Sequence, residues 1–306
     1  MLMRHLSYFV ALSEEGHFGR AAEICNVSQP TLSATIRKLE EDLGVVLISR
    51  GHRFVGLTPD GEKALEWGRQ ILADYDSLKS DLTVTRTGLN GTLRLGAVPA
   101  AMPSASFLTS RFSTIHTNVA IEIMSMTSKA IQQGLDTFEI DGGLTYLDNE
   151  PLENVRKFGL YHERYVFACR SDHSFANRDA VDWAEAVSQP LCLLSDDMQS
   201  RRILNGIASS VGLTVRAPVV SNSPLAVLAH LRDGRLCSIV PHTFCHVFGR
   251  SADIAWINLA NPDHTQAIGL VLSPRSPQSP MASALVASLK QENFDYDFDI
   301  AIRMSS

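Results

Sequence analysis

The sequence predicts a mixed α/β protein with an all-helical N-terminal head, one long helix, and a C-terminal domain of alternating strands and helices. Three observations carry this reading. Residues 16–44 hold two short amphipathic segments separated by a tight turn. Residues 59–90 hold one uninterrupted helical stripe. From Asn90-Gly91 onward, helical spacing gives way to short alternating apolar runs.

In the head, Leu6, Phe9, Val10 and Ser13 share one helical face, and Gly16 ends that helix. Phe18, Ala21, Ala22 and Cys25 form the inner face of a shorter helix, where Ala22 is small enough for close helix crossing. Leu32, Ile36, Leu39 and Leu43 recur at spacings of four, three and four, a stripe that a third helix must bury. Ser28 is placed to cap that helix, and Pro30 falls in the first turn, where a missing N–H costs little. Three such helices can close one small core. The opposite face of the third carries Gln29, Thr31, Ser33, Arg37 and Lys38, groups able to pair with base edges or phosphates. Free N–H groups at the helix start could hold a phosphate. The spacing lets this helix lie in a DNA groove, although period alone also fits a helical bundle with a solvated charged face.

Thr58-Pro59 starts the long helix, in which Ala64, Gly68, Ile71, Tyr75, Leu78 and Leu82 alternate at four and three, a coiled-coil seam. Gly88 and Asn90-Gly91 end it after about 28 residues, roughly 42 Å at 1.5 Å rise. A lone helix with one apolar stripe needs a partner, either a second copy or its own chain.

Beyond it, residues 92–98, 120–126, 140–146, 164–170, 191–195, 218–222, 236–241 and 267–273 are short apolar strands with helical segments between most of them. This pattern implies open, parallel-rich sheets in two lobes. Ligands of such folds bind beyond the carboxyl ends of strands, at helix N-termini. Three strand ends offer N–H and O–H donors to an anion: residues 96–103, 125–128 and 220–224. Ala100, Ala101 and Met102 would line that pocket, with Thr127 and Ser128 at its turn and Tyr146, Met198, Gln199, Asn222 and Thr243 approaching from facing segments. Ordinary helix capping by Ser, Thr and Asn is the alternative at any one position.

The 306 residues, 45% hydrophobic and 20% charged, suit a globular chain with more than one core. No stretch approaches the roughly 20 apolar residues of a membrane span. Residues 1–16 contain His5, Glu14 and Glu15 and lack a small-residue cleavage site, so they read as a helix and not a signal peptide. Cys25, Cys169, Cys192, Cys237 and Cys245 are scattered and odd in number, which argues for a reducing cytoplasm. The net charge of −6 is unusual for a DNA binder. Residues 1–59 hold Arg4, Arg20, Arg37, Lys38, Arg50 and Arg53 against Glu14, Glu15, Glu23, Glu40, Glu41 and Asp42, so binding must rely on segregated charge and on more than one copy.

Other chemistries find weak support. His242, Cys245 and His246 could share a helix face and bind a soft metal, but a fourth ligand is not evident. A peroxide-sensing thiol pair needs two cysteines able to meet in a cationic setting, and Cys192 has no partner nearby in sequence while Cys237 lies within an apolar strand. Asp196-Asp197 reads as helix-start acids. No GxSxG, GxxxxGK[ST] or HExxH pattern occurs, so an enzyme is not expected, nor a cofactor.

The segment RAAEICNVSQPTLSATIRKLEEDLGVVLISR followed by LTPDGE resembles, without a gap over residues 4–65, the DNA-binding domain of the LysR-type transcriptional regulators. The resemblance implies a winged helix-turn-helix over residues 1–58, with Ser28, Gln29, Pro30, Thr31, Ser33 and Arg37 at or near DNA and Arg50 and Arg53 as wing cations. It makes residues 59–90 a dimerising linker that pairs through Ile71, Tyr75, Leu78 and Leu82. Many members carry Arg or Gln where Ala34 stands here, and a methyl group can touch thymine but cannot hydrogen-bond guanine.

With weaker motifs, the resemblance extends through roughly residue 290. It implies an effector domain over residues 91–306, similar in fold to periplasmic solute-binding proteins, with one lobe at about 91–161 and 267–306 and the other at about 162–266. Thr127 and Ser128 occupy the hydroxyl-bearing turn with which the family holds a carboxylate. The implied partners are a double-stranded DNA operator with an imperfect dyad, a small cytoplasmic effector, RNA polymerase if the protein activates, and further copies of the chain as a dimer or tetramer. Two stretches, LTYLDNEPLENV and SNSPLAVLAHLRDGRLCSIVP, resemble members associated with formate dehydrogenase operons. A solute-binding protein or an architectural DNA-binding protein without effector control is the alternative.

Overall fold

The computed structural model describes residues 2–50, 54–248 and 253–289. The chain forms two compact units, Met1–Leu89 and Asn90–Ser306.

The first unit contains α1 (Leu2–Glu15), α2 (Phe18–Ile24), α3 (Gln29–Leu43), β1 (Ile48–Arg50), β2 (Phe54–Leu57) and α4 (Pro59–Thr87). Its core joins Leu6, Phe9 and Leu12 of α1, Ala21 and Ala22 of α2, and Leu32, Ile36 and Leu39 of α3 to Leu47 and Ile48. Local chemistry sets the boundaries. Gly16 turns with φ +58°, and His17 caps α2 by accepting the Gly19 and Arg20 N–H groups on Nδ1 at 3.1 and 3.3 Å. Ser28 Oγ accepts the Thr31 N–H, and left-handed Gly44 ends α3. Leu43, assigned to the buried stripe, is instead 48% exposed. It stands at the last position before the Gly44 turn, beyond the α3 residues that reach the core.

Strands β1 and β2 pair antiparallel as a small wing. Glu40, counted above among the acids of the head, is buried, and its Oε1 accepts the N–H groups of Leu47 and Ile48 at 2.9 and 3.3 Å. Its carboxylate therefore holds the entrance to the wing. Thr58 caps α4 by accepting the Gly61 N–H at 2.9 Å, and its hydroxyl donates to the Val46 carbonyl at 2.6 Å. A Cβ at residue 61 would lie 2.0 Å from the Leu47 carbonyl oxygen, so only glycine permits this approach.

The α4 stripe divides in two. Ala64, Leu65, Ile71 and Leu72 pack against the unit's own core, and Gly68 is buried, a Cβ there lying within 3.6 Å of Leu6 and Val10. Tyr75, Leu78 and Leu82 are 47, 57 and 68% exposed. The first half of the predicted seam, Ile71 included, thus faces its own chain because α1 lies alongside it, and only the later positions are open.

The second unit runs β3 (Gly91–Ala97), a 3-10 turn (Pro99–Ala101), α5 (Met102–Ile115), β4 (Val119–Ser125), α6 (Ser128–Asp136), β5 (Gly142–Tyr146), β6 (Arg156–Arg170), β7 (Ala180–Asp182) and α7 (Trp183–Ser188). It continues with β8 (Cys192–Leu194), α8 (Gln199–Ser210), β9 (Val219–Ser221), α9 (Pro224–Arg232), β10 (Ser238–Pro241), α10 (Thr243–Phe248), β11 (Ile254–Ala260), β12 (Thr265–Leu272) and α11 (Pro280–Leu289). One sheet has the order β4-β3-β5-β12-β6-β11-β7, with β10 also on β6, and β8 and β9 form a small second sheet.

Among the described strands the parallel pairs are β3–β4, β3–β5, β7–β11 and β8–β9, and Leu191 and Cys237 add an isolated parallel bridge. The pairs β12–β5, β12–β6, β11–β6 and β10–β6 are antiparallel, so the sheet is mixed and not parallel-rich. The reason is β6. Its first part, Arg156–Arg164, pairs with β12, and its last part, from Tyr165 on, pairs with β10 and β11. This single strand therefore runs from one lobe into the other. The second lobe's core gathers Val166 and Ala168 of β6 with Leu194, Val227, Leu231, Val240 and Phe244.

Candidate nucleic-acid face and interlobe cleft

On α3, Ser28, Gln29, Pro30, Thr31, Ala34 and Arg37 are exposed and Ser33 is half-buried. The Ser28 and Thr31 hydroxyls bond each other at 2.8 Å, which orients both at the helix start. Lys38, placed by the sequence on this face, is drawn to Glu41 and Asp42 at 3.4 and 3.2 Å. Arg37 has no such acidic partner among the described residues. It is therefore the exposed cation of the helix best able to meet a phosphate or a guanine. Arg50 ends β1, and Arg53 lies outside the described residues.

In the second unit a cavity of about 280 Å³ opens between the lobes. Its lining includes Ala100, Thr127, Ser128, Tyr146, Met198 and Gln199, six of the residues singled out by sequence, together with Val98, Pro99, Lys129, Glu150, Asp197, Ser200 and Arg202. Thr127 caps α6 by accepting the Ala130 N–H at 3.2 Å, which turns the start of that helix toward the cavity. Lys129, two residues after Thr127, is exposed and makes no ion pair among the described residues.

Four assignments fall elsewhere. Ala101 and Thr243 are fully buried. The Thr243 hydroxyl donates to the Ala100 carbonyl at 3.3 Å, so Thr243 fixes the cavity wall from behind. Asn222 is exposed and lines neither described cavity, because α9 starts beyond it at Pro224. Met102 lines a separate apolar cavity of about 600 Å³ with Leu225, Phe244 and Val247.

Polar groups span the cleft. The Ser128 hydroxyl donates to Gln199 Oε1, and Gln199 Nε2 donates to the Asn149 carbonyl. Arg202 pairs with Glu150 at 2.7 Å and also donates to the Asp196 and Asp197 carbonyls at 3.1 and 2.8 Å. That guanidinium holds the Glu150 carboxyl below its usual range. Arg202, Glu150 and Lys129 escaped the sequence reading. Lys129 could have been found from its place one residue after the Thr127-Ser128 turn, but Arg202 and Glu150 carry no local signal.

Beneath the cavity, the Tyr146 hydroxyl donates to Glu163 Oε1 at 2.6 Å. Burial pushes the Glu163 carboxyl up to about 8, and Tyr146 opposes that rise only in part. Glu163 Oε2 has no hydrogen-bond partner among the described residues. The acid is thus mostly protonated at neutral pH, as expected of an unpaired carboxyl taken out of water.

Among the described residues, no group of His, Cys, Asp and Glu is arranged to hold a metal. His242 Nδ1 accepts the Arg164 N–H at 3.2 Å, Cys245 belongs to the second lobe's core, and His246 stacks on Phe107 at 4.5 Å. The three residues suspected as ligands are thus committed to separate contacts. No helix among the described residues is long and apolar enough to cross a membrane.

A helix-turn-helix with an exposed polar face, on the same chain as a two-lobed domain with a polar cleft, is the architecture of a DNA-binding transcriptional regulator with an effector-binding domain. Comparison with known proteins gives the family. Residues 3–62 match the bacterial regulatory helix-turn-helix protein of the lysR family, and residues 86–293 match the LysR substrate binding domain. The chain belongs to the LysR family of transcriptional regulators. It is 28% identical to the DNA-binding transcriptional dual regulator OxyR of Escherichia coli K12, with all of both chains covered. It is 30% identical to the uncharacterized regulator YnfL of the same strain, over 92% of this chain and 95% of that one. A full-length OxyR variant from Pseudomonas aeruginosa shares the fold with a TM-score of 0.76 at 23% identity, covering 97% of each chain. Full-length CbnR in complex with its target DNA gives 0.67 at 24% identity, covering 95% of this chain and 99% of that one.

Proposed function

We propose that the protein is a cytoplasmic regulator that binds an imperfect dyad operator as a dimer or tetramer and changes transcription when a small anionic metabolite enters its interlobe cleft. In this reading Ser28, Gln29, Pro30, Thr31, Ser33 and Arg37 meet the duplex, with Arg50 and Arg53 beside it. Tyr75, Leu78 and Leu82 pair two copies. RNA polymerase is a partner if the outcome is activation. The observation that carries the effector assignment is Lys129, a cation with no ion pair among the described residues, next to the Thr127 and Ser128 hydroxyls at the start of α6.

The peroxide response that several relatives bear in their names does not transfer readily. Thiolate is the reacting form of cysteine, and burial pushes the Cys169, Cys237 and Cys245 thiols up to about 12, 11 and 12 and raises Cys25 and Cys192 as well. The formate link rests on sequence resemblance alone, so formate is one probe among others. The decisive experiment is a thermal-shift screen of formate, lactate, succinate and benzoate, followed by DNA binding with each hit. The double variant Thr127→Ala/Ser128→Ala should lose the shift and the effector response while keeping basal DNA affinity. An undiminished response in that variant moves the ligand elsewhere, and an exposed reading helix that binds no DNA in any state favours a plain solute-binding protein.

A further inference from the structure

The cleft already holds a group with the hydrogen-bonding pattern of a ligand. Gln199 is 5% exposed and Ser128 8%, an unusual degree of burial for side chains that normally face water. The Gln199 carboxamide oxygen accepts from the Ser128 hydroxyl across the cleft, and its nitrogen donates to the Asn149 carbonyl. An acceptor and a donor on neighbouring atoms thus satisfy one hydroxyl and one carbonyl from the facing lobe. The buried Ser128 hydroxyl would become a costly orphan if nothing replaced the amide, and the half-buried Asn149 carbonyl would lose its donor. The carboxamide is neutral, however, and Lys129 makes no ion pair among the described residues.

We propose that Gln199 is an internal occupant of the cleft and that its contacts report the class of effector that displaces it: a small carboxylic acid bearing a hydrogen-bond donor on the adjacent carbon, an α-hydroxy or α-amino acid. This rests on the reading of Thr127 and Ser128 as the anion-holding turn. The carboxylate takes over the Ser128 hydroxyl and adds the charge that Lys129 lacks. The α-substituent donates to the Asn149 carbonyl in place of the amide nitrogen. A cavity of about 280 Å³ lies just below the usual range for drug-sized ligands and suits acids of this small size. Displacement also releases the bond that Gln199 makes between α8 and the opposite lobe, so binding and lobe geometry are coupled through one side chain.

The test is calorimetric titration of the full chain with lactate, alanine and propionate, the last having the carboxylate but no α-donor. Gln199→Ala is expected to bind lactate or alanine about tenfold more tightly than the parent, equivalent to about 1.4 kcal/mol, since the bonds of the amide no longer need displacing. Lactate or alanine should outrank propionate in both proteins. Gln199→Glu, which nearly preserves shape, places a carboxyl group of the protein's own in the cleft that Lys129 also lines and should bind these acids at least about tenfold more weakly than Gln199→Ala. Equal affinity of Gln199→Ala and the parent overturns the internal occupant. Propionate equal to lactate and alanine, or no binding of any of them by Gln199→Ala, overturns the ligand class. Undiminished binding by Thr127→Ala/Ser128→Ala overturns the anion turn itself, whatever the Gln199 variants do.

Discussion

The helical head displays its polar groups along one short helix, whereas the cleft domain assembles its own from distant segments. Gln29 and Arg37 stand on the same three turns of α3. Ser128 reaches Gln199, 71 residues away, and Arg202 reaches Glu150, 52 residues away. The difference has an energetic consequence. Apart from the bonded Ser28–Thr31 pair, substitutions on the α3 face are expected to act independently, while substitutions in the cleft change groups that share partners and so are expected to be non-additive. It also separates the possible lesions: damage confined to the head should abolish DNA binding and leave ligand binding, and cleft damage should do the reverse.

The largest expected effect is at Gly61. A Cβ placed 2.0 Å from the Leu47 carbonyl forces the start of α4 away from the wing. Gly61→Ala should therefore destabilise the head by about 1–3 kcal/mol or more. Circular dichroism melts should show an earlier transition together with lost DNA affinity, while titration of the cleft is unchanged. A parent-like melt would mean that the approach of Leu47 to α4 is unimportant.

A smaller change in fold but a clear change in assembly is expected from Leu78→Glu. Leu78 is 57% exposed on the open part of the α4 stripe, and a charge there should dissociate copies by an order of magnitude or more, a cost of about 1.4 kcal/mol per tenfold. Sedimentation velocity reads the mass directly. Persistence of the parent's mass would move the pairing surface off α4. Ile71, which packs on its own head, is expected to affect stability more than assembly.

The subtlest effect concerns Glu163. Its folded carboxyl titrates at about 8 against an ordinary 4.5, so the native state retains a proton that the unfolded chain releases. The sign follows: stability is greatest below pH 4.5 as far as this group is concerned, and it falls as pH rises toward 8. Glu163→Gln should flatten that decline, which corresponds to about 2–4 °C in midpoint per kcal/mol for a domain of this size. Melts at pH 5.5 and 8 check it, and an equally steep decline in the variant would assign the effect to other groups.

Much of the head was legible in the sequence because its determinants are local. Ser28 as cap, Pro30 in the first turn, Thr58-Pro59 at the start of α4 and the α3 stripe up to Leu39 all declare themselves within one or two turns. Glu40 did not, since nothing local says that one acid in Glu40-Glu41-Asp42 turns inward to hold the wing. The wide strands were harder. The first half of β6, RKFGLYHE, interleaves charges that mask its alternation, and β7 and β11 were not assigned at all. In the cleft, the Thr127-Ser128 turn was visible as a strand end with hydroxyls. The placement of Thr243 behind the wall, of Asn222 outside it, and of Arg202 on Glu150 depends on how the sheet brings separate segments together, and periodicity carries no such information.

The account rests on α3 presenting Arg37 to DNA, and fluorescence anisotropy with a labelled duplex from upstream of the protein's own gene tests it most directly. Loss of a guanidinium contact worth about 1–3 kcal/mol predicts that Arg37→Ala binds roughly 5- to 150-fold more weakly, with an unchanged oligomeric mass and unchanged cleft titration. Parent-like affinity in a correctly assembled Arg37→Ala protein would contradict the assignment of this face to nucleic acid.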